Sequence, residues 1–229
     1  MPLPVFWTTL AEGILAFIAT HIDNFFVLVL LFAQAQIQPA WKGWHVWLGG
    51  YLGLAGLILI SLLGYLGGLV LPPPAIGLLG LIPLAVGGWK LWQPEPEESL
   101  SKELAELQDR PPAKTGLLFL PSPALMSMLL TFANGGDNIS LYIPLFASST
   151  PLQLALFSAI FFLMKGLWFA MAQRLTVQPE VAKVLAERGE RWVPWILMGL
   201  GVWILFKNET WRWLLRDPLA IKGRSSFMF

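Results

Sequence analysis

Two short polar motifs interrupt otherwise apolar stretches of this chain, and both end in Asp-Asn. The first is Ala19–Asn24 and the second is Ala133–Asn138. Each lies within about 30 residues apolar enough to cross a bilayer, where a charged side chain costs about 3 kcal/mol or more and marks an ion or substrate path. The side chains that offer carboxylate or amide oxygens to a cation are Asp23, Asn24, Asp137 and Asn138. This oxygen-rich set predicts a metal-cation site.

The second motif also predicts a break in its helix. Asn134, Gly135 and Gly136 disfavour regular helix, because each glycine costs about 1 kcal/mol relative to alanine, and the freed carbonyls add possible ligands. Thr20 or His21 would complete the ligand shell from the first motif. In the alternative interpretation, the two aspartates only cap broken helices by accepting hydrogen bonds from freed amides.

Glu12 and His21 extend this polar set along the first apolar stretch. Glu12 precedes Asp23 by eleven residues, so the two carboxylates share a helix face and lie roughly 16 Å apart along the axis. Glu12 is either a relay on the path to the site or an interfacial residue that reaches lipid headgroups. His21 either binds a cation or proton, since its charge changes near neutral pH, or is simply hydrogen-bonded inside the helix bundle.

Lys165 is a cation well inside the fifth apolar stretch. Its ammonium would pair with Asp23 or Asp137, which would lower the affinity of the site for a divalent ion. Alternatively, its long side chain snorkels to the membrane surface. The sequence leaves both interpretations open.

The composition identifies an integral membrane protein. Of 229 residues, 56% are hydrophobic and 13% are charged, which is too little polar surface to coat a soluble globule. A net charge of +1 gives no reason to expect nucleic acid as a partner. Because cysteine is absent, a metal site must use oxygen or imidazole. With two histidines and no phosphate-binding glycine loop, neither an enzyme nor a cofactor is expected.

The apolar stretches predict an all-α, polytopic membrane protein of about six transmembrane helices. They run over roughly 5–34, 44–71, 75–92, 116–146, 152–172 and 192–206. The single membrane domain then comprises a first three-helix repeat at 1–92, a polar cytoplasmic loop at 93–115, a second three-helix repeat at 116–207 and a tail at 208–229. Because three is odd, the repeats are inverted relative to each other, and Asp23 and Asp137 approach near the midplane.

Local features add predictions for individual stretches. The second stretch carries glycines at small-xxx-small spacing, which predict a face packed closely against another helix. They are Gly49, Gly53, Gly64 and Gly68. Lys90 and Trp92 are expected as interfacial anchors at the end of the third stretch. The sixth stretch is short, and Trp211, Trp213 and Leu214 would extend it into the interface.

The loops decide the orientation. Amphipathic surface helices are predicted within 93–115 and 179–188, and the basic residues of these loops place them in the cytoplasm. Six spans then leave the basic tail outside, which conflicts with the positive-inside rule, whereas five spans would remove the conflict. We keep six, because only two three-helix halves match the two motifs.

The motifs, with the residues that follow them, resemble the CadD-like cadmium resistance transporters of the LysE superfamily. The resembling segments are Ala19–Leu30 and, more specifically, Thr131–Phe146. The resemblance implies an efflux protein of the cytoplasmic membrane for divalent cations, with both motifs forming the pathway. The first motif reads Ile-Asp-Asn where the family pattern has Ile-Asp-Asp, so this chain carries less negative charge there.

The sequence therefore predicts a secondary transporter in the inner (cytoplasmic) membrane that exports a divalent metal cation, coupled to protons. Its expected partners are the lipid bilayer and the transported ion. The alternatives are an exporter of a cationic or zwitterionic organic solute and a non-transporting membrane scaffold. The identity of the ion and the formation of a homo-oligomer are left open.

Overall fold

The structure is a computed structural model that describes residues 3–22, 25–37, 41–92, 122–133, 135–178 and 191–215, with positions 184 and 188. Within these ranges every regular element is an α-helix. The helices are α1 (Leu3–His21), α2 (Phe25–Ile37), α3 (Gly43–Val70), α4 (Pro73–Leu78), α5 (Leu81–Trp92), α6 (Ser122–Ala133), α7 (Gly136–Ala147), α8 (Pro151–Leu175), α9 (Val193–Lys207) and α10 (Thr210–Leu215). The all-α prediction is confirmed.

Several of these helices have the length and composition of membrane spans. In the described part of the chain, the stretches that qualify are Leu3–His21, Gly43–Val70, Pro73–Trp92 and Pro151–Leu175. Shorter apolar helices are Val27–Gln36, Pro123–Phe132 and Val193–Lys207. Large apolar side chains such as Leu63 and Leu163 point outward, as lipid-facing residues do. The chain is a multi-pass membrane protein, as its composition predicted.

The first and fourth apolar stretches are each split in two at the polar motifs. α1 and α2 lie on either side of the first Asp-Asn pair, and α6 and α7 lie on either side of the Asn-Gly pair of the second motif. At the second break the amide of Gly135 donates to the carbonyl oxygen of Phe132 over 2.9 Å, so a tight turn replaces the regular helical ladder. The predicted break is confirmed.

The two pieces of the fourth stretch, α6 and α7, pack against α3. A Cβ atom on Gly49 would overlap the carbonyl oxygen of Ala124 in α6, and one on Gly64 would overlap that of Ile143 in α7. A Cβ on Gly53 would lie 2.6 Å from the Cβ of Thr131 in α6, and one on Gly68 would overlap the carbonyl oxygen of Ala147 in α7. The predicted glycine face is therefore confirmed, and it allows backbone to touch backbone.

The two pieces of the first stretch, α1 and α2, pack against α8. Here the contact consists of aromatic side chains. Phe157, Phe161 and Phe169 of α8 are fully buried, and the rings of Phe17 and Phe161 lie 6.4 Å apart. Large side chains thus fill the space between α8 and the first stretch, whereas the glycines of α3 let it approach the fourth stretch directly.

A third interface joins α5 to α9. It is tight at Gly80 and Gly201, where a Cβ on Gly80 would come within 2.6 Å of the carbonyl oxygen of Gly201. α9 ends at Lys207, and the chain turns through Glu209, whose φ is 53°. α10 then packs against α4. Trp211 therefore does not continue α9 as one helix, because the positive φ separates the two helices, and its position at the membrane interface stays a prediction.

Polar contacts fix which helix ends lie together. At one end of the bundle, Gln153 Nε2 donates to Thr9 Oγ1 over 3.2 Å, and Thr210 Oγ1 donates to the carbonyl of Pro74 over 3.0 Å. At the other end, Gln36 Nε2 donates to Thr176 Oγ1 over 2.9 Å. The predicted loop helix at 93–115 lies outside the described residues, and of 179–188 only positions 184 and 188 are described, both helical.

Candidate functional site

A cavity of about 30 Å³ lies between the two helix breaks. Its walls come from the end of α1, the start of α7, and the facing sides of α2, α6 and α8. The residues that line it are His21, Val27, Leu28, Leu31, Ser127, Leu130, Thr131, Asn138, Lys165 and Trp168. The cavity is large enough for a water molecule or a bare metal ion.

His21, the last residue of α1, offers a nitrogen lone pair to this cavity. Its Nδ1 lies 3.2 Å from the carbonyl oxygen of Phe17 and 3.1 Å from the hydroxyl oxygen of Thr20. Because the Thr20 hydroxyl donates its hydrogen to the carbonyl of Ala16 over 2.9 Å, both neighbours of Nδ1 act as acceptors, which favours the tautomer with the proton on Nδ1. Its Nε2 is buried without a hydrogen-bond partner among the described residues. The Phe17 ring stacks on the imidazole at 4.0 Å and fixes its orientation. A histidine that donates from one nitrogen to a backbone carbonyl and leaves the other bare resembles a metal ligand.

Asn138, in the first turn of α7, faces the same cavity. The residue is 1% exposed, and its Oδ1 has no hydrogen-bond partner in the described part of the chain. Such an orphaned buried acceptor costs about 1 to 3 kcal/mol unless a ligand satisfies it. The third orphaned side-chain atom among the described residues, Ser61 Oγ, does not line the cavity. Two of these three orphaned atoms therefore belong to residues that line the cavity.

Lys165 reaches this cavity from the middle of α8. The residue is 5% exposed, and its Nζ lies 5.3 Å from the centre of the Phe169 ring. This burial excludes the snorkelling interpretation, because a snorkelling ammonium would lie at the surface. A permanent cation thus shares the cavity with the bare acceptors of His21 and Asn138.

Asp137 faces away from the cavity. Its Oδ2 lies 2.7 Å from Nζ of Lys90, in the last turn of α5. Consecutive helical residues project about 100° apart, so Asp137 faces α5 while Asn138 faces the cavity. Lys90 is therefore not the interfacial anchor that we expected. The role of Asp137 as a metal ligand stays a prediction.

Glu12 is also paired inside the protein. Its carboxylate accepts a hydrogen bond from Trp203 Nε1 over 2.8 Å and lies 3.1 Å from Nζ of Lys207, both on α9. The residue is 6% exposed, so the interpretation in which it reaches lipid headgroups is wrong. The pairing also neutralises one of the basic residues that made the tail difficult to place outside.

The comparisons with known proteins agree with the resemblance. A family model described as cadmium resistance transporter matches residues 17–216. The chain belongs to the cadmium resistance transporter family. Neither among curated proteins nor among solved structures was a match found. Membership places the chain among membrane transporters.

In this cadmium resistance transporter family member, part of the predicted site lies outside the described residues. These positions are Asp23, Asn24 and Asn134. Thr20 does not line the cavity; its hydroxyl lies 3.4 Å from that of Tyr142 and links α1 to α7. A side chain at Gly135 would meet Leu57, whereas Gly136 faces open space. Only Gly135 is therefore constrained by close packing.

Several residues around the cavity of this transporter could not be predicted from its sequence. Ser127, Thr131 and Trp168 line it, and the indole of Trp168 donates to the carbonyl oxygen of His21 over 3.1 Å, which satisfies the broken end of α1. Small hydroxyls and a tryptophan inside apolar helices are too common to be singled out from sequence. Among the described residues no group of three or more His, Asp or Glu side chains is arranged to hold a metal.

Proposed function

We propose that this protein exports a divalent metal cation, which it binds in the cavity between the two helix breaks. The proposal rests on two buried atoms of residues that line one cavity, His21 Nε2 and Asn138 Oδ1, neither of which has a hydrogen-bond partner among the described residues. The sequence adds the carboxylates of the two motifs, Asp23 and Asp137, and the amides of Asn24 and Asn134. Two neutral ligands alone would leave a divalent charge uncompensated, so at least one carboxylate is required.

The donor set favours borderline and soft divalent cations. Imidazole nitrogen is a ligand for metals such as zinc, whereas carboxylate and amide oxygens alone suit calcium and magnesium. Among the described residues that line the cavity there is no cysteine or methionine, so the softest donor there is the imidazole of His21. Cadmium, the ion in the family description, is compatible with this mixed nitrogen and oxygen site.

The cavity size argues against an organic solute. A space of about 30 Å³ is far below the roughly 300 Å³ or more of typical small-molecule pockets. An amino acid would require the cavity to expand around it, whereas a dehydrated ion would not. The buried Lys165 would repel a cationic solute as well as a metal, so its charge does not distinguish the two cargoes.

The helix contacts support the finer features of the fold, which we also propose. α8 packs on both pieces of the first broken stretch, and α3 packs on both pieces of the second. Exchange of the two halves, α1 with α6, α2 with α7 and α3 with α8, relates these two sets of contacts, as an inverted repeat requires. The proposal also includes six crossings of the inner membrane and secondary rather than nucleotide-driven transport, since the sequence has no phosphate-binding glycine loop.

The test is transport by purified protein in proteoliposomes. Vesicles loaded with cadmium, zinc, manganese or calcium, or with lysine or arginine, are followed for cargo loss with and without a proton gradient. We expect divalent metal flux that the gradient accelerates, and loss of that flux in Asn138→Leu. Val202→Leu, at an outward-facing position of α9, is the matched control and should transport normally. Amino acid flux, or no flux by folded protein, would overturn the proposal.

A further inference from the structure

Trp168 of α8 contacts both pieces of the first broken stretch. The centre of its ring lies 5.7 Å from that of Phe17 in α1 and 5.3 Å from that of Phe25 in α2, and both pairs of rings are nearly perpendicular. Its indole Nε1 donates to the carbonyl oxygen of His21 over 3.1 Å. One side chain therefore touches the helices on both sides of the break and the last residue of α1.

The hydrogen bond from Trp168 replaces one that the break removes. In a continuous helix the amide of Phe25 would donate to the carbonyl of His21, four residues earlier. Here the Phe25 amide donates to the carbonyl oxygen of Ile22 over 3.1 Å. A buried carbonyl without a donor is costly, so the indole supplies the missing bond and fixes the backbone of His21 where α1 ends.

Trp168 also supports the imidazole of His21, through Phe17. The Phe17 ring stacks on the imidazole with the ring centres 4.0 Å apart, and Phe17 is itself fully buried. The perpendicular contact with Trp168 is a favourable arrangement of two aromatic rings and keeps the Phe17 ring in place. The same tryptophan thus holds His21 at its carbonyl and at its ring.

We propose that Trp168 is a positioning residue that determines which metal the cavity prefers, because it holds the His21 imidazole towards the cavity. This inference rests on the proposed function. Among the described residues that line the cavity, His21 provides the softest donor, and calcium binds through oxygen ligands without needing it. Trp168 is not itself a ligand, since its indole nitrogen only donates a hydrogen. Loss of its support should therefore weaken the binding of cadmium more than that of calcium.

Trp47 of α3 offers a matched control. Like Trp168, it is half-buried and packs on the group of buried residues that includes Phe25 and Phe169. It does not line the cavity. Trp47→Phe therefore removes an indole from the same part of the bundle and should change neither metal binding nor His21.

The first measurement is of metal preference in the full chain purified in detergent. Trp168→Phe keeps a ring beside Phe17 but cannot donate to His21. The dissociation constants of cadmium and calcium, two ions of similar radius, are compared in Trp168→Phe, Trp47→Phe and wild type. We expect Trp168→Phe to weaken cadmium binding about tenfold, as the loss of a group that orients a metal ligand does, and to leave calcium binding nearly unchanged. Equal weakening for both ions, or none, would overturn the inference.

The second measurement needs no metal. The chain has two histidines, so the nitrogen-15 spectrum of histidine-labelled, metal-free protein contains one set of signals for each. In wild type and Trp47→Phe, His21 should show a single tautomer with its proton on Nδ1. Trp168→Phe should shift the His21 signals towards the average of the two tautomers and leave those of His45 in place. Unchanged His21 signals in folded Trp168→Phe would overturn the inference.

Phe17→Leu is an independent variant, and it decides if Trp168→Phe does not fold. It removes the ring that stacks on the imidazole but leaves the indole of Trp168, so it too should weaken cadmium binding more than calcium binding. An equal loss for both ions would contradict the positioning of His21. Wild-type protein that binds no divalent metal would overturn the proposed function instead, and the histidine spectra would still show whether Trp168 positions His21.

Discussion

The two broken stretches are seated in the bundle by different kinds of contact. α6 and α7 lie against α3 through glycines, so that a Cβ on Gly64 or Gly68 would overlap a backbone carbonyl. α1 and α2 lie against α8 through buried rings, among them Phe157, Phe161 and Phe169. The second broken stretch is therefore held by backbone contact, and the first is held by aromatic side chains.

The difference predicts how each interface responds to change. Backbone-to-backbone contact has no rotamers with which to adjust, whereas rings in a side-chain interface repack when a neighbour moves. We therefore expect α6 and α7 to stay fixed against α3, and α1 and α2 to adjust more easily against α8. The cavity lies between α6 and α7 on one side and α1, α2 and α8 on the other.

The largest effect is expected at the glycine interface. Gly64→Leu places a side chain against the carbonyl of Ile143, and no rotamer relieves this overlap, so folded protein should be lost. Gly67 lies about one turn further along the same helix, and a Cβ there would have no heavy atom within 4 Å. Gly67→Leu is therefore the control and should fold normally. Folded yield is measured by size-exclusion chromatography in detergent. Equal yields would mean that α3 does not touch α7.

A smaller loss is expected at the aromatic interface. Phe161→Ala removes a fully buried ring and should lower the free energy of unfolding by about 3 kcal/mol while leaving the fold intact. Leu163→Ala, at a position that is 75% exposed, should have little effect. Denaturant unfolding of the purified variants measures both. A collapse of folded yield in Phe161→Ala would show that this interface is as intolerant as the glycine one.

Lys165 of α8 places a positive charge on one wall of the cavity. Lys165→Met should raise metal affinity about tenfold or more, because the ammonium no longer repels the bound cation. Lys165→Arg keeps the charge and should keep the low affinity. Thermal stabilisation on titration with cadmium reports both. Equal stabilisation of wild type and Lys165→Met by cadmium would show that Lys165 does not affect metal binding.

The smallest effect concerns a hydrogen bond within the glycine interface. Ser127 Oγ of α6 donates to the carbonyl oxygen of Val46 in α3 over 3.1 Å. Ser127→Ala should cost about 0.6 kcal/mol, the average for hydrogen bonds between membrane helices. Ser158→Ala removes a bond that stays within α8 and is the control. If Ser127→Ala instead lowered the free energy of unfolding by several kcal/mol, this hydrogen bond, and not the glycine contacts, would hold α6 against α3.

The sequence predicted those features that depend on local residue chemistry. The glycine spacing of α3 predicted its packed face, and Asn134 to Gly136 predicted the second break. Both follow from what glycine does to a helix wherever it occurs. The membrane class followed equally directly from the apolar composition.

The partners of the charged residues could not be predicted, because they come from distant parts of the chain. Glu12 and Lys207 are separated by 195 positions, and no periodicity links them. The sequence could not place Asp137 towards Lys90 rather than towards the cavity, since one residue of register decides which face of α7 it occupies. The burial of Lys165 likewise depends on how α8 is rotated in the bundle.

The central claim is that the cavity binds a divalent cation through His21, and the two histidines of the chain allow a direct measurement. Protein labelled with nitrogen-15 histidine is loaded with cadmium-113, and scalar coupling between the metal and an imidazole nitrogen is recorded by NMR. We predict coupling to one histidine in wild type and in His45→Gln, and none in His21→Gln. Coupling that survives in His21→Gln, or cadmium bound without any imidazole nitrogen in wild type, would contradict the account.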